Sequence, residues 1–195
     1  MKVIGLTGGI ASGKSTASAY LRELGAAIVD ADAISRASTR RGGAAFEAVC
    51  AAFGDILGAD GEIDRRKLGG IVFADEDARR KLNSIVHPAV MAESRAQIEN
   101  ARASGVKVCI LDVPLLFETG MEKLCEETWL IYVPREEQIR RMAERDGLDA
   151  AAAAARIDSQ MPLEEKLKRA NVAIDSSGTI EQTREKLRRL WEERT

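Results

Sequence analysis

Near the amino terminus the stretch "GGIASGKS", residues 8–15, sets Gly8, Gly13, Lys14 and Ser15 at the spacing G-x-x-x-x-G-K-[ST]. Residues of these types in this order suit the holding of a nucleoside triphosphate. Glycines let the backbone curl so that successive N–H groups point inward at phosphate oxygens. The helix that follows offers its positive end to the same anion. Lys14 can reach the β- and γ-phosphates, and the Ser15 hydroxyl can ligate Mg²⁺. Gly8, Gly9, Ala11, Ser12, Gly13, Lys14, Ser15 and Thr16 are therefore the candidate nucleotide-binding residues. The loop identifies a triphosphate but not what is done with it.

Carboxylates are the next requirement. In "VDADAISR", residues 29–36, Asp30 and Asp32 follow a short apolar run and would share one side of an extended segment. A carboxylate at the end of this strand could take the proton of an attacking hydroxyl or hold Mg²⁺ through water. It could equally cap the next helix, and pattern alone leaves the two aspartates equivalent. Asp112 ends "VCILD" and fits a metal-facing aspartate beside the phosphates, or a satisfied strand-end residue. No N-K-x-D guanine-reading motif occurs, which favours ATP over GTP and a kinase over a switch GTPase. Arg140, Arg141 and Arg145 lie on one charged stretch, with Arg141 and Arg145 on a common face; Arg156 and Gln160 follow on another. These residues suit a lid closing over the transferring phosphoryl group, but a solvated helix laced with Glu/Arg pairs explains the composition as well. His87 precedes Pro88 and reads most simply as a residue closing one helix before the next begins.

Elements must hold these groups in place. "KVIGL" reads as a buried strand, Lys14 to Leu24 as a helix stopped by Gly25, and "AAIVD" as a second strand. Strand, turn, helix and strand in that order imply an α/β fold with a parallel sheet covered on both faces. Residues 35–104 are mostly helical and too long for a simple connection, so they read as an insertion. Within it, helical patterns cover 44–53, 68–73 and 75–86, "GADGEID" is turn-rich, and Pro88 is expected to start a helix running to Ala103. The sheet resumes at 106–113 and 128–133, and 172–175 is its last candidate strand. Helices are expected over 134–146, after Asp149, and over 180–191, where Leu187, Leu190 and Trp191 would pack on the sheet.

Composition narrows the class. The 195 residues carry 29 basic and 31 acidic side chains, a net charge of −2, which speaks against a nucleic-acid or anionic-membrane partner. No apolar run approaches the roughly 18–20 residues of a membrane span, and the chain enters its first strand without a signal segment, so a cytoplasmic protein is expected. Three widely spaced cysteines and one histidine give neither a disulfide framework nor a metal-ligand cluster.

Taken together, "GLTGGIASGKST", "VDADAISR", "IDRRKLGGIVF", "IVHPAV", "DVPLLFE", "VPREEQIRRMAERD" and "RANVAIDSSG" resemble the dephospho-CoA kinase family over nearly the whole chain. The resemblance implies a P-loop NTP hydrolase-like core (1–34, 105–133 and 170–195), a helical dephospho-CoA-binding insertion (35–104) and a lid (134–169). It implies transfer of the γ-phosphoryl group of ATP to the ribose 3′-hydroxyl of dephospho-CoA, with Mg²⁺. By position it makes Asp32 the acceptor of the hydroxyl proton and sets Arg36 and His87 on the substrate side. Lys14 and Arg141 join Asp32 as catalytic candidates, Ser15 and Asp112 are the metal candidates, and "RANVAIDSSG" looks like the adenine-side loop. Ala11 stands where the family commonly has glycine, a change expected to be tolerable at negative φ. Asn171 and Ser176 stand for a common aspartate and asparagine and keep their hydrogen-bonding ability. Another small-molecule kinase, or a regulatory nucleotide-binding module, shares the loop but not the whole set.

Overall fold

A computed structural model describes all 195 residues. The sheet has five strands, β1 (Lys2–Gly8), β2 (Ala27–Asp30), β3 (Val108–Asp112), β4 (Glu127–Tyr132) and β5 (Val172–Asp175), in the order β2-β3-β1-β4-β5. The pairings of β1 with β3, β1 with β4, and β4 with β5 are all parallel. The near-continuous apolar runs of β1, β3 and β4 are buried, as a sheet covered on both faces requires. β1 lies between β3 and β4, and Leu6 is in register with both Asp112 and Trp129. The chain leaving β1 therefore emerges from the middle of the sheet's carboxyl edge, where open α/β sheets bind ligands.

By backbone contacts the chain divides into two compact units, Met1–Val29 with Ile98–Thr195, and Asp30–Gln97. In the first, α1 (Lys14–Glu23) and α9 (Ile180–Glu192) bury Ala17, Leu21 and Leu187 with Ile4, Leu6, Ile110, Trp129 and Ile131. Tyr20, Leu24, Leu190 and Trp191 pack against this core, the faces read from the spacing. A reciprocal Thr179/Gln182 capping box starts α9. Near the end of the chain, Arg194 stacks over the buried Trp129 ring and forks onto Glu127, which also meets Lys2 at 2.9 Å. Glu127 is held down to about 2, chiefly by the Arg194 hydrogen bond. The charged stretch forms α6 (Arg135–Asp146), and Asp149 caps α7 (Ala150–Asp158) by accepting from Ala152 N–H at 2.7 Å. α8 (Leu163–Arg169) falls where the sequence reading sets no element.

The second unit holds α2 (Ala31–Ser38), α3 (Phe46–Phe53), α4 (Arg65–Ala74) and most of α5 (Glu76–Ala103). Pro88 does not start a helix: α5 runs through it for 28 residues. Proline removes one i→i−4 bond and crowds the preceding turn. Here the buried stripe of Val86, Val90 and Ser94 crosses the proline at four-residue spacing and keeps both halves on one face. His87 is consequently an exposed mid-helix residue rather than a helix terminus.

Cys109 is buried in β3, while Cys50 and Cys125 are half-buried, and none is in a disulfide. Burial pushes the Cys109 thiol up to about 11 and the Cys125 thiol up to about 12, and it raises Cys50 as well.

Candidate active site

Gly8 ends β1, and the loop after it turns into α1 at Gly13, whose φ of 85° is a left-handed value open to glycine. Lys14 opens the helix, and its ammonium is ion-paired with the Asp112 carboxylate at the end of the neighbouring β3. Both side chains are mostly buried, at 15% and 9% exposure, so water screens the pair little. Ser15 and Thr16 are exposed in the first turn of α1. Ser12 is buried, and its hydroxyl oxygen has no protein partner.

Ala11 has φ of 59°, the only non-glycine residue of the chain at positive φ, so the condition of negative φ under which its methyl group is readily tolerated is not met. The methyl group crowds the following carbonyl in this region at a cost of about 1–2 kcal/mol. Glycine would relieve that strain while returning about 0.4–1 kcal/mol of unfolded-chain entropy. Ala11→Gly is therefore expected to stabilise the protein by about 1 kcal/mol, a rise in Tm of about 2–4 °C by calorimetry. An unchanged or lower Tm would show that Ala11 is not held in the left-handed region.

α6 resolves the three arginines. Arg140 pairs with Glu137 and Glu144, and Arg145 with Asp146, all on the solvent side. Arg141 instead turns toward the loop: Nη1 reaches Ala11 O at 3.4 Å, Nη2 donates to Ser176 O at 2.8 Å, and Nε pairs with Glu137 at 2.7 Å. Hydrogen bonds from Arg140 first and Arg141 second hold Glu137 down to about 2. Gln138, one turn from Arg141 and only 6% exposed, donates to Ile10 O at 2.7 Å. Gln160 accepts from Ile10 N–H at 3.3 Å. Sequence reasoning missed Gln138; its signal was an uncharged amide inside a run of charges. Lys166 was missed as well: it is 1% exposed and paired with Glu118 of "PLLFE" at 2.9 Å. Arg156 lies 3.9 Å from Asp146.

At β5 the two replaced residues keep polar work. Asn171 accepts from Thr128 N–H at 2.8 Å and so fastens β5 to β4. The Ser176 hydroxyl is buried and donates to Ser12 O at 2.6 Å.

In the other unit the strand does not continue past Asp30, so the two aspartates do not share one side of an extended segment. Asp30 is the N-cap of α2, its carboxylate accepting from Ala33 N–H at 2.9 Å. Asp32 sits exposed in the first helical turn, with Arg36 one turn further along α2. A cavity of about 450 Å³ is lined by Arg36, Arg40, Arg65 and Glu62 among others, an excess of positive charge suited to an anionic ligand. His87 lies on α5 in the same unit.

The family model for dephospho-CoA kinase matches residues 2–182. A dephospho-CoA kinase of Carboxydothermus hydrogenoformans is 52% identical over 188 residues, covering 96% of this chain and 91% of its own. The solved structure of a dephospho-CoA kinase from Campylobacter jejuni superposes with a TM-score of 0.76 at 31% identity, covering 99% of this chain and 97% of that one. A shikimate kinase from Acinetobacter baumannii, at 17% identity and a TM-score of 0.53 over 98% of this chain and 92% of its own, shares the fold alone. With the phosphate loop on β1, the parallel sheet around it and a match over nearly its whole length, the chain belongs to the dephospho-CoA kinase family.

Proposed function

We infer that the chain is an ATP-dependent dephospho-CoA kinase, moving the γ-phosphoryl group of ATP to the ribose 3′-hydroxyl of dephospho-CoA and releasing CoA and ADP. The observation that carries this reading is the family match over residues 2–182, joined to an intact phosphate loop in its structural place. The loop N–H groups, Lys14 and the amino end of α1 hold the triphosphate, and Arg141 stands beside the same loop. Asp32 orients the acceptor hydroxyl and takes its proton, in keeping with its exposed place in the first turn after β2. Arg36 and His87 serve the acceptor, with the arginine-lined cavity taking its anionic diphosphate. By function we divide the chain into core (1–34, 105–133, 170–195), acceptor insertion (35–104) and lid (134–169), with 169–178 facing the adenine.

Mg²⁺ fits the residues present. No group of three or more His, Cys, Asp or Glu could hold a metal alone. A buried Asp112 carboxylate and an exposed Ser15 hydroxyl do suit an ion held largely by nucleotide phosphates and water, the usual manner for Mg²⁺. Bound there, Mg²⁺ would neutralise charge on the phosphate oxygens. No helix is long and apolar enough to cross a membrane. The three free thiols suit a reducing compartment, and we place the enzyme in the cytoplasm with ATP and dephospho-CoA as its partners.

A coupled assay of ADP release tests the reading. Release should depend on dephospho-CoA and exceed that with other alcohols, including shikimate and simple nucleosides, by a wide margin. Equal release without dephospho-CoA, or a better alternative acceptor, would overturn it.

A further inference from the structure

Three successive carbonyls of the phosphate loop are each taken by a side chain from a distant part of the same unit. Gln138 Nε2 donates to Ile10 O at 2.7 Å, Arg141 Nη1 to Ala11 O at 3.4 Å and Ser176 Oγ to Ser12 O at 2.6 Å. Gln160 grips the same Ile10 residue from its other side, accepting its N–H at 3.3 Å. A peptide group is planar and trans, so fixing one carbonyl aims the next residue's N–H the opposite way. Holding the carbonyls of Ile10 and Ser12 therefore sets the directions of the N–H groups of Ala11 and Gly13, while the Ser12 N–H donates within the loop to Gly9 O at 3.2 Å.

The close approach is built into the loop. A Cβ on Gly9 would stand 2.6 Å from Gln138 Nε2, so the amide reaches Ile10 O only because residue 9 has no side chain. Ala11, whose carbonyl Arg141 reaches, stands at positive φ in the same stretch. Gln138 and Ser176 are each 6% exposed, so water competes little for these bonds.

The geometry points to Gln138 and Ser176 as positioning residues for triphosphate binding: acting through the carbonyls of Ile10 and Ser12, they pre-set the loop amides that receive the phosphates. This assigns "VPREEQIRRMAERD" a second task besides its arginines. Within the segment assigned to the adenine side, it gives Ser176 a role toward the phosphates. The inference rests on the triphosphate reading of the loop and not on the identity of the acceptor.

Gln138→Met keeps side-chain volume and removes the amide; Ser176→Ala removes only a hydroxyl. Each is titrated calorimetrically with ATP and with inorganic tripolyphosphate, alongside thermal unfolding and steady-state kinetics. Losing one buried hydrogen bond to the loop is expected to weaken both ligands about tenfold. KM for ATP should rise while KM for dephospho-CoA stays. Unchanged affinity in the folded variants overturns the inference, and so does a loss confined to ATP, which would place these residues at the base. A loss that vanishes once corrected for the folded fraction also overturns it. If Gln138→Met does not fold, Ser176→Ala decides alone. Wild-type protein that binds neither ligand would instead overturn the triphosphate reading itself.

Discussion

Asp32→Asn is expected to lower kcat by about 10²–10⁴, the range a positioned general base contributes, with the dissociation constant for ATP unchanged. Asparagine keeps the size and one acceptor oxygen of the carboxylate but has no basicity at neutral pH. The loss should therefore appear in the rate of transfer and little in KM for either substrate. Asp30→Asn is the matched comparison. Asp30 accepts Ala33 N–H as the cap of α2, and asparagine caps a helix about as well as aspartate. That variant should keep both stability and turnover. Near-wild-type turnover by Asp32→Asn, or equal losses from the two substitutions, would remove Asp32 from proton transfer.

The second large effect concerns Lys14. Lys14→Ala should lower transfer about 10²–10³-fold, as removal of one pre-organised donor to a charged transition state does, and should also weaken ATP binding. Its ion pair adds a consequence for the nucleotide-free protein. Asp112 is 7% exposed, and without Lys14 its carboxylate is left buried and uncompensated. Removing one partner of such a pair typically destabilises by about 3–5 kcal/mol. Adding Asp112→Asn to Lys14→Ala should recover most of the lost Tm while recovering no transfer. Unchanged ATP affinity in Lys14→Ala would contradict the loop assignment, and a Tm that Asp112→Asn does not restore would contradict the pairing.

The parts of the fold legible in the sequence are those set by short-range pattern. "KVIGL" and "VCIL" read as buried strands because they are buried on both faces, though β3 starts at Val108 rather than Val106, and "VAID" is β5 residue for residue. The phosphate loop was legible because its glycines and lysine act within eight residues of each other. What failed depended on distant packing. Pro88 looked like a helix start until the Val86–Val90–Ser94 stripe was seen to run through it. Ala11 stands at positive φ beside contacts from Arg141 and Ser176, about 130 and 165 residues further along, which no local pattern reveals. Spacing placed Arg141 and Arg145 on one face, yet only Arg141 meets the loop, because Asp146 holds Arg145 outward. Pattern alone leaves Asp30 and Asp32 equivalent; the family resemblance singles out Asp32, and the structure adds that Asp30 is a helix cap.

The three cysteines bear on the reaction in another way. Dephospho-CoA and CoA both end in a free thiol, so the enzyme works beside a steady supply of groups that exchange disulfides. Such exchange needs a thiolate on the protein, or a protein disulfide for the cofactor thiol to attack. Burial keeps Cys109 and Cys125 protonated far above neutral pH, and the Cys50 thiol is raised too. The chain also holds no disulfide. The raised thiols of Cys109 and Cys125 therefore disfavour mixed disulfides with the thiol cargo at these two positions.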